Sequence, residues 1–173
     1  MAVATAACGA SSHPVVPVAG VRLWEVGDHT TEGDVVIGVA PAEAYAVLGV
    51  YARWTAVFTD VARVEDQGPA GDVPGEEKVL LVTRSGQNNN LRFKNDAEKR
   101  VVRFRDTGGA GDVWAEIAFE PGPRGASTRV HARLHADVHG LASLFVTDGK
   151  LREERQRKLS SDLGNIERYF QRR

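Results

Sequence analysis

Three histidines, His131, His135 and His139, first invite a chemical reading. On a helix, residues four apart can share one metal ion. On a strand the same spacing separates them by about 13 Å, against a metal–nitrogen bond of about 2 Å. The surrounding pattern is that of a strand. Val130, Ala132, Leu134, Ala136 and Val138 alternate with Arg129, His131, Arg133, His135, Asp137 and His139 between Ser127 and His139. Strict period two gives one dry face and one wet face. The histidines fall on the wet face, so no metal site is expected from them.

Other sources of chemistry are equally thin. Cys8 is the single cysteine, which rules out an intramolecular disulfide and a zinc-binding cysteine pair. Gly108-Gly109-Ala110-Gly111 lacks the Lys and Ser/Thr of a phosphate loop and reads as a turn. Ser85, Ser127 and Ser143 lack the Gly-x-Ser-x-Gly elbow of a hydrolase. No cofactor is expected. Lys150 to Lys158 mixes charges of both signs, with Glu154 and Lys158 at i,i+4, as on a solvated helix face. The formal net charge is −1, so the chain has no long-range attraction for a polyanion and nucleic acid is not an expected partner.

A chain of 173 residues, 42% apolar and 26% charged, has the composition of one ordinary globular domain. No stretch approaches the roughly 20 apolar residues of a membrane-spanning helix. Residues 1–20 read as a flexible segment ahead of a domain at 21–173. Ala2 to Ala7 followed by Cys8-Gly9 resembles the tail of a lipoprotein signal without its charged leader. Two placements follow: cytoplasmic as the chain is written, or a cell-envelope lipoprotein anchored at Cys8 if a signal begins upstream of Met1. The chain is expected to be a monomer.

These residues are positioned by a series of short elements. Val35 to Val39 is a strand, Pro41 opens a helix carrying Tyr45 and Leu48, and Trp54 to Val61 is a second short helix. Strands follow at Ala62–Glu65, Glu77–Arg84, Leu91–Asn95, Arg100–Asp106, Val113–Glu120 and Ser127–His139, separated by Gly, Pro and Asn turns. Leu151, Leu159, Leu163, Ile166 and Phe170 then mark the apolar stripe of one long C-terminal helix starting within Ala142–Asp148. Short connections favour antiparallel neighbours, and the long helix is the element able to cover the dry face of the sheet.

This order resembles the helix-grip fold of the SRPBCC superfamily, which includes the START, Bet v 1-like and polyketide cyclase/dehydrase-like domains. The resemblance rests on Val35-Val36-Ile37-Gly38-Val39-Ala40-Pro41 running into the first helix, on Trp54, on Phe119-Glu120-Pro121 through Ser127-Thr128-Arg129-Val130, and on the terminal helix. It implies an α+β fold: a curved, seven-stranded antiparallel sheet wrapped around the long helix, with two short helices after the first strand. It also implies a cavity for a lipid, sterol, polyketide or similar apolar molecule. The superfamily has no shared catalytic residue, so none is carried over.

On that basis the expected lining is Ile37, Val39, Leu80, Val82, Phe93, Val102, Phe104, Ile117, Phe119, Leu134 and Val138 from the sheet, and Leu159, Leu163 and Ile166 from the helix. Trp54 and Phe58 would gate the entrance. Ala132 and Ala136 are small enough to leave a hollow, or to let the helix pack close. Arg155 and Asp162 flank the apolar stripe and could place charge at one end. The leading functional expectation is binding or transport of an apolar small molecule. The alternatives are a cofactor-independent cyclase/dehydrase, for which Tyr45, Glu116 and Arg84 are the candidate polar groups, and a protein-interaction module.

Overall fold

The alternating segment near the end of the chain forms the strand it predicts. In the computed structural model, which describes residues 20–109, 111–138 and 147–172, that strand is β8 (Thr128–Val138), hydrogen-bonded between β2 (Thr30–Ile37) and β7 (Gly111–Pro121). The other strands are β1 (Arg22–Val26), β3 (Val61–Pro69), β4 (Glu77–Thr83), β5 (Asn88–Asp96) and β6 (Val101–Asp106). Helices α1 (Pro41–Leu48) and α2 (Trp54–Val57) follow β2, and α3 (Asp148–Gln171) follows β8. One curved sheet runs in the order β1-β2-β8-β7-β6-β5-β4-β3, antiparallel at every junction.

The expected helix-grip architecture is present, with eight strands among the described residues instead of seven. The additional strand is β1, and the short helices therefore follow the second strand. β1 pairs with β2 through a tight reversal at Gly27, whose φ of +66° suits a residue without a Cβ. Cys8, the linker at 13–20, Ser143, Gly140 and His139 lie outside the described residues or at their edge.

Local chemistry explains where the helices start. Pro41 occupies the first turn of α1, where its missing N–H costs nothing, and Glu43 faces the helix dipole. Thr147 caps α3, its hydroxyl accepting from the Lys150 backbone N–H.

The two ends of α3 pack differently. Leu159, Leu163, Ile166 and Phe170 are buried in the core with Val35, Ile37, Val130 and Ala132. Close approach requires small residues beneath the helix. A Cβ added to Gly33 would lie 2.5 Å from Leu23 Cδ2 and 3.0 Å from Leu163 Cδ1. Ala132, which pairs with Gly33, is buried beside it. The N-terminal half of α3 instead faces open space over β4 to β7.

Candidate functional site

That space is a cavity of about 550 Å³. Leu151, Glu154, Arg155, Lys158 and Asp162 of α3 form one side. Trp54 and Phe58, together with inward-facing residues of the sheet, form the rest. The sheet register explains which residues those are. Val113 pairs with Ala136, and Ala115 with Leu134, so the dry faces of β7 and β8 continue one another. Phe104 opposes Ala115 and extends the same face into β6.

Trp54 organises the aromatic part of the wall. Its indole N–H donates to the Leu48 carbonyl at 2.9 Å. Its ring meets Phe58, Phe93 and Phe104 edge-on, with centroids 6.0, 5.5 and 5.4 Å away. This is the favoured geometry for aromatic pairs, and it fixes the ring without filling the hollow. Trp54 and Phe58 are buried parts of the wall rather than an exposed gate.

Polar groups line the cavity from two sides: Glu154, Arg155, Lys158 and Asp162 on α3, and Asp60, Arg84 and Asp106 at the edge of the sheet. Arg155 is almost fully buried: its Nε donates to Thr31 Oγ1 at 3.2 Å, and one terminal nitrogen donates to Glu25 Oε2 and the Asp28 carbonyl, each at 3.1 Å. Glu25 also accepts from Thr31 at 2.8 Å and Gln156 at 2.9 Å. Burial pushes the Glu25 pKa up, but the bonds from Thr31, Gln156 and Arg155 outweigh it and hold the carboxyl below its ordinary range. Lys158 bridges Asp162 at 2.8 Å and Asp60 at 3.0 Å. Burial raises the Asp162 pKa; Lys158 opposes that rise and the Asp60 charge adds to it.

The expected lining divides between the cavity and the closed core. Trp54, Phe58, Phe104, Ile117 and Leu134 line the cavity. Ile37, Phe93, Val102, Phe119, Leu159, Leu163 and Ile166 are buried in the closed core, and Val39 packs against its edge. Val138 is half-buried opposite Gly111 at the end of β8, apart from the cavity wall. Leu80 and Val82 are a correction. Val79 is buried opposite Leu91, and Leu81 lines the cavity, so Leu80 and Val82 point to the other side of β4. Four apolar residues in a row, Val79 to Val82, carry no period, and the wrong parity was the result.

The alanines are each explained differently. Ala132 lies under the docked half of α3, whereas Ala136 lines the cavity. Among the polar candidates, Glu116 pairs with Arg103 on the outer face, and Tyr45, half-buried on α1, packs edge-on against Phe119 away from the cavity wall. Arg84 lines the cavity while its Nε donates to the Thr59 carbonyl. His131 and His135 lie on the outer face, stacked on Trp24 and Trp114 with centroids 5.7 and 5.1 Å away. No cluster of metal-ligating residues occurs among the described residues.

A curved sheet gripping a long helix, with an apolar hollow between them, defines the START-like class of ligand-binding folds. The chain belongs to the polyketide cyclase/dehydrase and lipid transport family, whose model matches residues 28–171. No curated protein matches it. Among solved structures, it is similar to the Zhui aromatase/cyclase from a Streptomyces species at 17% identity, over 88% of this chain and 95% of that one, with a TM-score of 0.66. The di-domain ARO/CYC BexL matches at 14% identity and a TM-score of 0.67 over 82% of this chain, which spans only 46% of BexL. The lipid transfer and protein localization domain of human StarD13 matches at 11% identity and a TM-score of 0.61, over 87% of this chain and 83% of that one. Identities this low carry the fold alone. Among the described residues, no helix is long and apolar enough to cross a membrane.

Proposed function

We propose that this chain binds and carries an apolar small molecule, of lipid, sterol or polyketide-like character, in the cavity beneath α3. The observation that carries the reading is the division of α3. Its C-terminal half is docked on the sheet, while its N-terminal half stands over a hollow of about 550 Å³ walled by Trp54, Phe58, Phe104, Ile117 and Leu134. Protein interiors close such spaces by default, and concave, mostly apolar hollows with few polar groups are the form of ligand sites. Native mass spectrometry of the purified chain, followed by solvent extraction, tests this. A bound apolar species that dissociates on extraction is expected; a chain that stays empty and binds no apolar dye would overturn the reading.

One observation favours a second reading, acid–base catalysis on the bound molecule. Asp162 lines the cavity with its pKa raised, the condition a carboxyl needs to exchange a proton nearer neutral pH. Incubating the extracted ligand with fresh protein separates the two. Recovery unchanged supports carriage; conversion lost in Asp162→Asn supports catalysis.

A further inference from the structure

Arg155 has bonding capacity that the fold does not use. It lines the cavity, with 2% of its side chain exposed. Nε is bonded to Thr31, and Nη2 to Glu25 and the Asp28 carbonyl. Nη1 is buried with no hydrogen-bond partner. A buried donor left unpaired is costly, and a guanidinium N–H more so than a neutral one. Whatever occupies the cavity beside Arg155 gains by supplying an acceptor.

Charge decides the kind of acceptor. Glu25 already neutralises Arg155. Around the cavity, Arg84, Arg155 and Lys158 face a larger number of carboxylates, namely Asp60, Asp106, Glu154 and Asp162. An arriving carboxylate would bring a further negative charge into a wall where acids already outnumber bases, and would lose its hydration on entry. A carbonyl oxygen satisfies the N–H and adds no charge.

We infer that Arg155 Nη1 is the polar anchor of the cavity, and that it selects apolar ligands bearing a neutral carbonyl oxygen (ketone, ester or amide) over carboxylates. This rests on the cavity being a ligand site, and the test separates the two claims. Three naphthalenes of one shape serve as probes, each displacing Nile red from the full chain: 2-acetylnaphthalene, 2-ethylnaphthalene and 2-naphthoate. The ketone is expected to bind about tenfold more tightly than the hydrocarbon, the scale of one hydrogen bond to a charged donor, with the carboxylate weaker than the ketone. The advantage should vanish in the paired variant Glu25→Gln/Arg155→Met, which leaves no lone buried charge. Hydrocarbon binding equal to ketone binding would overturn the anchor and leave the apolar site standing. Naphthoate as the tightest ligand would overturn the preference for a neutral oxygen. If none of the three displaces the dye, both the anchor and the proposed function fail.

Discussion

Arg155 and Thr31, 124 residues apart in sequence, are joined by a 3.2 Å hydrogen bond from Nε to Oγ1 across the boundary between α3 and β2. Thr31 in turn donates to Glu25. The N-terminal half of α3 stands over a hollow, so it lacks the apolar contacts that seat Leu163 and Ile166. A polar cluster of the buried Arg155 and Thr31 with the half-buried Glu25 and Gln156 ties this half to the sheet instead.

Arg155→Met should therefore destabilise the fold by about 2 kcal/mol, because Thr31 and the half-buried Glu25 lose their charged donor. Adding Glu25→Gln should recover much of that loss, since a neutral amide keeps its partners Thr31 and Gln156. Urea unfolding of both variants measures the difference; a double variant no more stable than the single one would show the two residues to be energetically independent.

Ala132 and Ala136 offer a matched contrast on one strand. Ala132→Leu inserts bulk where α3 is already docked, and should cost about 1–3 kcal/mol. Ala136→Leu projects into the hollow, and should leave stability near that of the parent while weakening Nile red binding. Thermal melts and dye titration on the two variants check this. Equal destabilisation by both would mean that the space beside Ala136 is not available.

Sequence alone reveals the fold more readily than the site. The period of β8 and the stripe of α3 each have one solution, since the eleven alternating residues Arg129 to His139 or five apolar positions at helical spacing permit no other face. β1 is hidden because Arg22-Leu23-Trp24-Glu25-Val26 mixes charge and apolar residues on a two-sided edge, and its pairing is set by β2 rather than by its own composition. The cavity is harder still. Leu134 and Leu163 are the same residue type on facing elements, yet one lines the hollow and the other is fully buried. What distinguishes them is where along its length α3 leaves the sheet, a property of three-dimensional packing. Glu116 lies outside the hollow by parity, alternating with Ala115 and Ile117 on β7, and Tyr45 turns from α1 onto Phe119.

Acid should weaken the fold through two groups acting in the same direction. Burial lowers the His135 pKa from its ordinary 6.5, against the pull of Asp112 and Asp137 and with help from His29 and Arg155. The unfolded chain then binds the proton more readily than the folded one, so stability declines as pH falls below about 6.5 toward the lowered value. Glu25, held below its ordinary 4.5 by its hydrogen bonds, contributes stability that is lost as pH falls further. Melting temperature against pH should fall in two steps. His135→Gln should flatten the upper step and leave the lower one.

Asp162 should behave in the opposite sense. Burial raises its pKa above the ordinary carboxylate value, Lys158 pulls it back, and Asp60 competes for the same ammonium. A carboxyl raised in the folded state favours the fold when protonated and penalises it when ionised. At neutral pH, Asp162→Asn removes that penalty and leaves Lys158 paired with Asp60, so the variant should melt higher than the parent. The gap should close as pH falls and Asp162 takes up its proton. Asp162 also lines the cavity, so if it exchanges a proton with the ligand the same variant loses ligand turnover. A variant less stable at neutral pH and unimpaired in turnover would make the Lys158 pair a structural bond and nothing more.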